Sequence, residues 1–455
     1  MTPAPSLPER PPFVLRARLL TPLDDGGTRW EPDARVEVDA RGRIAAVGPW
    51  KDGASSSGGG SSGATSPGPP VVDLRPWLLL PGMVDLHAHL PQLPNAGVGA
   101  GLDLLTWLER YIFPLERDFD ASAAERLAPA AFRAFAAAGT TTVVLYGAVF
   151  EESLEAAFRA AEAHGIRSVI GKVMMDRLTY DEALDAADPA EIRALSLRQS
   201  ADLCARWHGR DEGRLRYAYT PRFAVSCTPE LLRDSARLAT ESGAYWQTHL
   251  SEDRGELQEV ARLFPAATDY LDVYDRAGGL GPRSILAHAI HLSERELARL
   301  VASGARVAHC PASNLFLASG AMPLARYLEA GVVVGLGSDV AAGPELSLFG
   351  VMRAGAYTQN GLRVLGDERP VLDPLGWLRL GTLAGAQALG QEDRIGSLEP
   401  GKEADLVVVD PSLTEPLPGA GVDTPEELMS RLIFRPHPAM VRGAWVRGRL
   451  LPASA

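Results

Sequence analysis

The sequence predicts an α/β protein: a (β/α)8 TIM-type barrel with a small β-sandwich domain formed from both chain termini. Two observations carry this prediction. Apolar runs alternate with amphipathic segments along the middle of the chain, and short strand patterns separated by turns occupy both ends. Eight strands alternating with helices are typical of a closed parallel barrel. The chain has 455 residues, 46% of them hydrophobic, which is enough for both units.

Residues 1–80 are predicted to form the first part of the sandwich. Short alternating segments bounded by Asp and Gly turns predict strands at 13–20, 34–38, 43–47 and 71–74. Residues 53–70 are almost purely Gly, Ser, Ala and Pro, and we interpret them as a flexible insertion that does not pack.

Residues 81–390 are predicted to form the barrel. Apolar runs predict its strands at 84–89, 141–146, 168–175, 216–223, 245–252, 284–289, 306–311 and 332–339. Segments with helix formers and 3.6-residue apolar spacing predict helices at 123–138, 151–164, 190–207, 229–242, 293–303, 345–360 and 374–389. Residues 391–455, with strand patterns at 404–409, 440–446 and 449–451, are predicted to complete the sandwich, so that the barrel is inserted between its halves.

Composition excludes several classes of protein. The formal net charge is −12, which argues against a surface for nucleic acid or anionic membrane. No apolar run approaches the roughly 20 residues that span a bilayer, and the proline-rich start shows no signal peptide. The three cysteines, Cys204, Cys227 and Cys310, have no CxxC pairing, which indicates a reducing compartment. We therefore expect a cytoplasmic protein.

Histidines and carboxylates fall at the predicted strand ends. His87 and His89 are two residues apart in a strand, so their side chains project to the same face. Three later strands also end in polar residues: the fifth in His249 and Glu252, the sixth in His288, and the eighth in Asp339. Active sites of such barrels lie at the C-terminal strand ends, where these groups can converge on one divalent cation. Nitrogen and oxygen donors of this kind suit zinc or ferrous iron.

Each of these residues also has a structural explanation, such as a capping aspartate or a histidine bonded to a carbonyl group. His309, on the seventh predicted strand, is expected to make internal hydrogen bonds, and Cys310 to fill the core. The remaining histidines are interpreted as surface residues: His164, His208, His291 and His437.

Several segments resemble the amidohydrolase superfamily and, more closely, its guanine deaminase family. They run in register from residue 81 to 343 and read PGMVDLHAH, LDLLTWLERYIFPLE, GTTT, GKVMMD, YTPRFAVSC, THLSED, AHCPASNLFLASG and GLGSDVAAG. The resemblance implies one zinc ion per chain, with ferrous iron as an alternative, held by His87, His89, His249 and Asp339. It also implies a homodimer that acts on free guanine in purine catabolism or salvage.

The resemblance further implies the role of each catalytic residue. Water activated by zinc would attack C2 of guanine, giving xanthine and ammonia. Glu252 would carry a proton from the water to the ring nitrogen and then to the leaving amine. His288 would stabilise the developing charge, and Asp339 would be a second proton acceptor.

Substrate contacts are implied for five residues: Gln92, Arg222, Phe223, His249 and Glu252. Arg222 would bond O6 of the purine, Phe223 would pack on its face, and Gln92 can offer both a donor and an acceptor. A 6-aminopurine would place a donor against Arg222 and leave buried groups unpaired. From spacing alone, Arg222 could equally form a structural salt bridge and Phe223 could belong to the core.

Rival interpretations remain. A two-metal cyclic amide hydrolase would carry a carboxylated lysine on its fourth strand, but Lys172 falls on the third predicted strand, and we interpret it as structural. Another purine or pterin deaminase on the same scaffold is a second rival. A non-enzymatic scaffold is a third, although no metal ligand is missing. The HxE and PCxxC pattern of cytidine-type deaminases does not occur in the sequence.

Overall fold

The computed structural model describes residues 6–51, 68–177 and 188–453. Its strands divide between a sheet built from the two ends of the chain and a barrel between them. In chain order they are β1 (Phe13–Pro22), β2 (Thr28–Val38), β3 (Ile44–Pro49), β4 (Val71–Pro81), β5 (Met83–His89), β6 (Thr140–Tyr146), β7 (Arg167–Gly171), β8 (Val173–Met174), β9 (Leu215–Pro221), β10 (Tyr245–Leu250), β11 (Ser284–His288), β12 (Arg306–His309), β13 (Val334–Leu336), β14 (Leu406–Val409), β15 (Val441–Val446) and β16 (Arg449–Leu450).

The barrel is the parallel sheet predicted from the sequence. Its strand order is β5-β6-β7-β9-β10-β11-β12-β13, and the short β8 pairs with β9. Two backbone hydrogen bonds join its first strand to the segment after its last: the Asp339 amide donates to the His87 carbonyl at 2.7 Å, and the His89 amide to the Val340 carbonyl at 2.9 Å. The seam of the barrel therefore lies within the predicted metal site.

Several predicted barrel strands differ in extent, and three of them bear on the site. The third is broken at Lys172. The Nζ atom of Lys172 donates to Ser196 Oγ at 3.0 Å, and burial lowers the pKa of this lysine to about 7. The fourth ends at Pro221, so Arg222 and Phe223 lie in the loop that follows. The eighth shortens to β13, since glycine and serine replace strand-forming residues after Leu336.

Helices surround the barrel and supply its connections. The longer helices are Ala121–Ala137, Glu151–His164, Pro189–Trp207, Pro229–Ser242, Arg254–Leu263, Glu294–Ser303, Leu348–Val364 and Pro425–Phe434. The shorter ones are Leu104–Trp107, Phe113–Arg117, Tyr270–Arg276, Pro311–Phe316, Leu324–Glu329, Pro374–Gly381 and Leu383–Ala388, with a π-helical turn at Leu108–Ile112. None of the helices in the described ranges is long and apolar enough to cross a membrane.

The two chain ends combine into one seven-stranded mixed sheet, in the order β16-β15-β14-β4-β1-β2-β3. It encloses a core of its own, in which Phe13, Leu79, Val408 and Trp445 are buried. The prediction of a barrel with a separate β-structure from both termini is confirmed. The predicted insertion at 53–70 lies outside the described residues, except for positions 68–70.

Candidate active site

A cavity opens at the C-terminal ends of the barrel strands. This is the end at which barrel enzymes carry their active sites. The predicted site residues in its wall are His89, Gln92, Arg222, Phe223, His249, Glu252 and Asp339. Leu104, Trp107, Leu108 and Ala342 complete the lining.

Three imidazoles and one carboxylate converge beside this cavity. Nε2 of His89 lies 3.2 Å from Nε2 of His87 and 3.2 Å from Nε2 of His249. Oδ1 of Asp339 lies 3.2 Å from Nε2 of His87 and 3.3 Å from Nε2 of His89. All four side chains are buried. The alternation of β5 places the first two histidines on one face, as predicted.

These separations fit a tetrahedral metal site. Zinc–nitrogen and zinc–oxygen bonds of about 2.0–2.2 Å place neighbouring tetrahedral donors about 3.3–3.5 Å apart. His249 donates from Nδ1 to the Arg222 carbonyl at 2.6 Å, which leaves the Nε2 lone pair for a metal. Burial lowers the pKa of His89 to about 3 and that of His249 well below its usual value, so both rings are neutral, as metal ligands must be.

Asp85 anchors β5, the strand that carries His87 and His89, at the seam. Its buried Oδ1 accepts from the backbone amides of His87 at 3.2 Å and Ser338 at 2.9 Å. Burial raises its pKa to about 6. This carboxylate fixes the backbone of β5 against the segment that carries Asp339, so two predicted ligands are held in register.

His288 lies between the two carboxylates. Its Nδ1 hydrogen bonds to Asn314 Oδ1 at 2.9 Å, while its Nε2 lies 3.3 Å from Glu252 Oε2 and 3.7 Å from Asp339 Oδ2. Burial, followed by the negative charge of Asp339, raises the pKa of Glu252 well above its usual value. Burial alone would also raise the pKa of Asp339, but His87 and the other imidazoles hold that pKa well below its usual value. The His288 imidazole therefore faces two different groups: the Glu252 carboxyl group, which favours the protonated form, and the Asp339 carboxylate, which stays ionised.

The backbone is strained where these groups enter the cavity. Ser251, which precedes Glu252, has φ of 48°, His288 has φ of 69° and Asp339 has φ of 49°. Residues other than glycine rarely adopt this left-handed conformation, at a cost of about 1–3 kcal/mol each, and such strain clusters at functional sites. The surrounding packing holds all three in orientations that a regular strand end would not give.

A buried carboxylate joins two of the predicted substrate-binding residues. Glu116, which is fully buried, forms an ion pair with the Arg222 guanidinium and accepts from Gln92 Nε2 at 2.7 Å. Arg222 is thus in a salt bridge, which the sequence left as an alternative, and it also lines the cavity. Phe223 is buried in the same wall.

Some polar residues were missed or misplaced by the sequence interpretation. Glu116 closes the segment LDLLTWLERYIFPLE, and Asn314 lies in AHCPASNLFLASG; the resemblance therefore marked the segments without marking these side chains. The expected internal hydrogen bonds of His309 are absent: this fully buried ring has no partner among the described residues, and burial lowers its pKa to about 3. Cys310 is buried in the barrel core, as predicted.

The histidines interpreted as surface residues are mostly not exposed. His437 is exposed, whereas His164, His208 and His291 are half-buried. Each of these three bonds to the backbone: His164 Nε2 to the Pro452 carbonyl at 2.8 Å, His208 Nδ1 to the Tyr217 amide at 3.2 Å, and His291 Nε2 to the Ser319 carbonyl at 2.9 Å. Loop histidines can thus become structural when another segment of the chain covers them.

The chain belongs to the amidohydrolase family, whose model matches residues 78–451. It is 42% identical to a probable guanine deaminase of Deinococcus radiodurans over 350 residues, 76% of this chain and 77% of that relative. It is 38% identical to the guanine deaminase of Escherichia coli K12 over 371 residues, 80% of this chain and 79% of that relative.

A solved structure gives the same relationship in three dimensions. The crystal structure of guanine deaminase from C. acetobutylicum, with guanine bound in its active site, matches with a TM-score of 0.86 and 27% sequence identity. The match covers 96% of this chain and 99% of that chain, so barrel and terminal sheet are both included.

Proposed function

We propose that this protein is a metal-dependent guanine deaminase that hydrolyses guanine to xanthine and ammonia. The grouping of the Nε2 atoms of His87, His89 and His249, with Asp339 Oδ1 near the first two, carries the proposal. It lies beside a cavity lined by Gln92 and Arg222. The guanine deaminases among the relatives, and guanine in the active site of the matching structure, support the choice of substrate.

The four converging residues would hold one zinc or ferrous ion. Their nitrogen and oxygen donors suit either metal, and their spacing suits tetrahedral coordination. When bound, zinc lowers the pKa of a coordinated water toward neutrality and so supplies a nucleophile. The burial of the donors excludes bulk water from the site.

Glu252 would move the protons of the reaction. Its carboxyl group lines the cavity and lies 3.3 Å from His288, close to the converging ligands. The attacking oxygen bonds to C2, and its proton passes through Glu252 to the adjacent ring nitrogen. His288 donates to the developing oxyanion, and Asp339 accepts the second proton of the water as the C2 carbonyl forms. Glu252 relays this proton to the amino group, the C2–N bond breaks and ammonia leaves.

The opposite wall would orient the purine. Arg222 would donate to O6, Gln92 would bond the neighbouring ring edge, and Phe223 would pack against the ring face. A 6-aminopurine reverses the polarity of position 6 and places a donor against the Arg222 guanidinium, which has only donors to offer. The cavity therefore favours guanine over adenine.

The two-metal alternative has less support. Lys172, the lysine that could bridge two ions, bonds to Ser196 and is not among the residues that line the cavity. Among the described residues, the two His/Asp/Glu/Cys groupings close enough to hold an ion share His87, so both lie at the same place in the barrel. The implied homodimer and the role in purine breakdown stay predictions.

The decisive experiment measures ammonia release by purified, zinc-loaded protein from guanine, 8-oxoguanine, adenine, cytosine and a pterin. We expect rapid release from guanine, loss of release on chelation and recovery on addition of zinc. Release from another base alone would keep the hydrolytic chemistry and overturn the assigned substrate. No release from any base would favour the cyclic amide hydrolase.

A further inference from the structure

Glu116 lies behind the cavity wall and contacts two residues that form it. It belongs to the helix Phe113–Arg117, which follows the π-helical turn Leu108–Ile112, and it is not itself in the cavity lining. One of its carboxylate oxygens accepts from Gln92 Nε2 at 2.7 Å, and the other pairs with the Arg222 guanidinium. The proposed mechanism assigns no role to this buried anion.

This arrangement determines which end of the Gln92 amide is available. A carboxylate paired with a guanidinium can only accept hydrogen bonds, so the amide must turn its NH2 group toward Glu116. Oε1 of Gln92 then takes no part in the contact with Glu116. It is buried and has no hydrogen-bond partner among the described residues. Arg222, by contrast, has only donors to offer. The wall therefore presents an acceptor from one residue and donors from the other.

We propose that Glu116 sets the hydrogen-bond polarity of this wall and thereby selects purines with a lactam edge. A lactam edge has an acceptor at the C6 carbonyl and a donor at the adjacent N1–H, which complement Arg222 and Gln92 Oε1. A 6-aminopurine presents a donor at C6 and an acceptor at N1. The donor would then face the donors of Arg222, and the acceptor would face the acceptor Gln92 Oε1. The inference rests on the proposed function and makes Glu116 a positioning residue.

A role confined to neutralising Arg222 predicts a different result. Loss of a mere charge partner would weaken the binding of both kinds of purine or destabilise the fold. Loss of the residue that orients Gln92 frees its amide to rotate, so that it can donate to the N1 acceptor of a 6-aminopurine. Only the second role changes the ratio of the two affinities.

The test uses hypoxanthine and adenine, which both lack the 2-amino group and differ at this edge alone. Calorimetry on zinc-loaded protein should show that the native chain binds hypoxanthine at least 100-fold more tightly than adenine. In Glu116→Gln the ratio should fall at least tenfold, through weaker hypoxanthine binding together with tighter adenine binding, with unchanged metal content. Glu296→Gln is the matched control: it alters a buried glutamate that caps the helix Glu294–Ser303 and should leave the ratio unchanged.

The outcomes separate this inference from the proposed function. Guanine turnover by the native chain with an unchanged ratio in Glu116→Gln would overturn the role of Glu116 and leave the function standing. Absence of guanine turnover would overturn the function, whatever the ratio. If Glu116→Gln does not fold, Gln92→Ala decides: removal of the acceptor should lower the ratio at least tenfold, and an unchanged ratio would overturn the inference.

Discussion

Glu252 is the carboxyl group best placed to transfer protons, since it lines the cavity and faces His288 without being one of the four converging ligands. We predict that Glu252→Gln keeps the metal and lowers kcat for guanine by about 10²–10⁴-fold, the usual contribution of a general acid–base group. Parallel measurement of kcat and of metal per chain checks this. Turnover that persists at full metal content would remove Glu252 from the mechanism.

A matched control separates chemistry from folding. Glu296→Gln makes the same change at a buried glutamate that accepts from the Leu271 amide at 3.2 Å and from the Ser293 amide at 2.8 Å, outside the cavity lining. It should lower thermal stability and leave kcat within about twofold of the native value. A large kcat loss in both variants would point to unfolding as the common cause.

Arg222 would contribute to substrate binding through its guanidinium, and it supports the site through its backbone. Its carbonyl orients His249, so removal of the side chain leaves this ligand in place. We predict that Arg222→Ala retains the metal and lowers kcat/KM for guanine by about 10–100-fold, the value of a charged hydrogen bond worth about 1.5–3 kcal/mol. Steady-state kinetics across guanine concentrations test this, and an unchanged kcat/KM would exclude the contact with O6.

At the scale of elements, one buried arginine joins the barrel to the terminal sheet. Arg167, in β7, pairs with Glu403 at 2.5 Å and Asp405 at 3.0 Å, just before β14. Burial alone would raise the pKa of Glu403, but Arg167 with Arg394 and Arg447 lowers it to about 2. Because this pKa is depressed on folding, its contribution to stability is complete above about 4.5 and is lost as the pH falls toward 2.

We therefore predict that Arg167→Met lowers the free energy of unfolding by about 3–5 kcal/mol at pH 7, since it removes the buried cation that Glu403 and Asp405 share. Glu403 keeps its pairs with Arg394 and Arg447. The loss should shrink as the pH falls below about 4.5 and the carboxylates gain protons. Denaturant unfolding at several pH values measures it. Arg159→Met, which removes an exposed ion pair with Glu155, should change stability by less than about 1 kcal/mol; equal losses in both variants would contradict the argument.

Regular elements were predictable where side-chain periodicity decides them. The helices at 151–164 and 229–242 begin and end at the predicted residues, because Pro or Glu in the first turn and Gly after the last mark their ends. The third strand was predicted too long, because the break at Lys172 depends on how closely Gly171 approaches the neighbouring strand: a Cβ there would meet Thr220 Oγ1 at 1.8 Å. No local pattern records that approach.

The same contrast holds for the site. The strand ends located the converging histidines, since period-two alternation and barrel topology place them together. Glu116 could not be found in this way, because an irregular helix with a π-helical turn determines which of its polar side chains points inward. Whether Arg222 forms a salt bridge or lines the cavity was also undecidable from spacing, and the structure shows that it does both.

Across the whole molecule, the proposed metal would join segments that are distant in sequence and meet at the barrel seam. His87 and His89 end the first strand, His249 lies on β10, and Asp339 follows β13. The seam itself has only a few backbone hydrogen bonds, such as that from the Asp339 amide to the His87 carbonyl. An ion held by all four side chains would therefore close the barrel as well as take part in catalysis.

We predict that removal of the metal destabilises the fold and abolishes guanine turnover together. A ligand at 1,000 times its dissociation constant stabilises the folded state by about 4 kcal/mol, so chelation should lower the thermal midpoint by several degrees and zinc should restore it. Glu252→Gln keeps all four donors and should show the same shift, although it is inactive. His87→Ala should show little response to chelator. A midpoint that is insensitive to metal in the native chain would contradict the role of these residues as ligands.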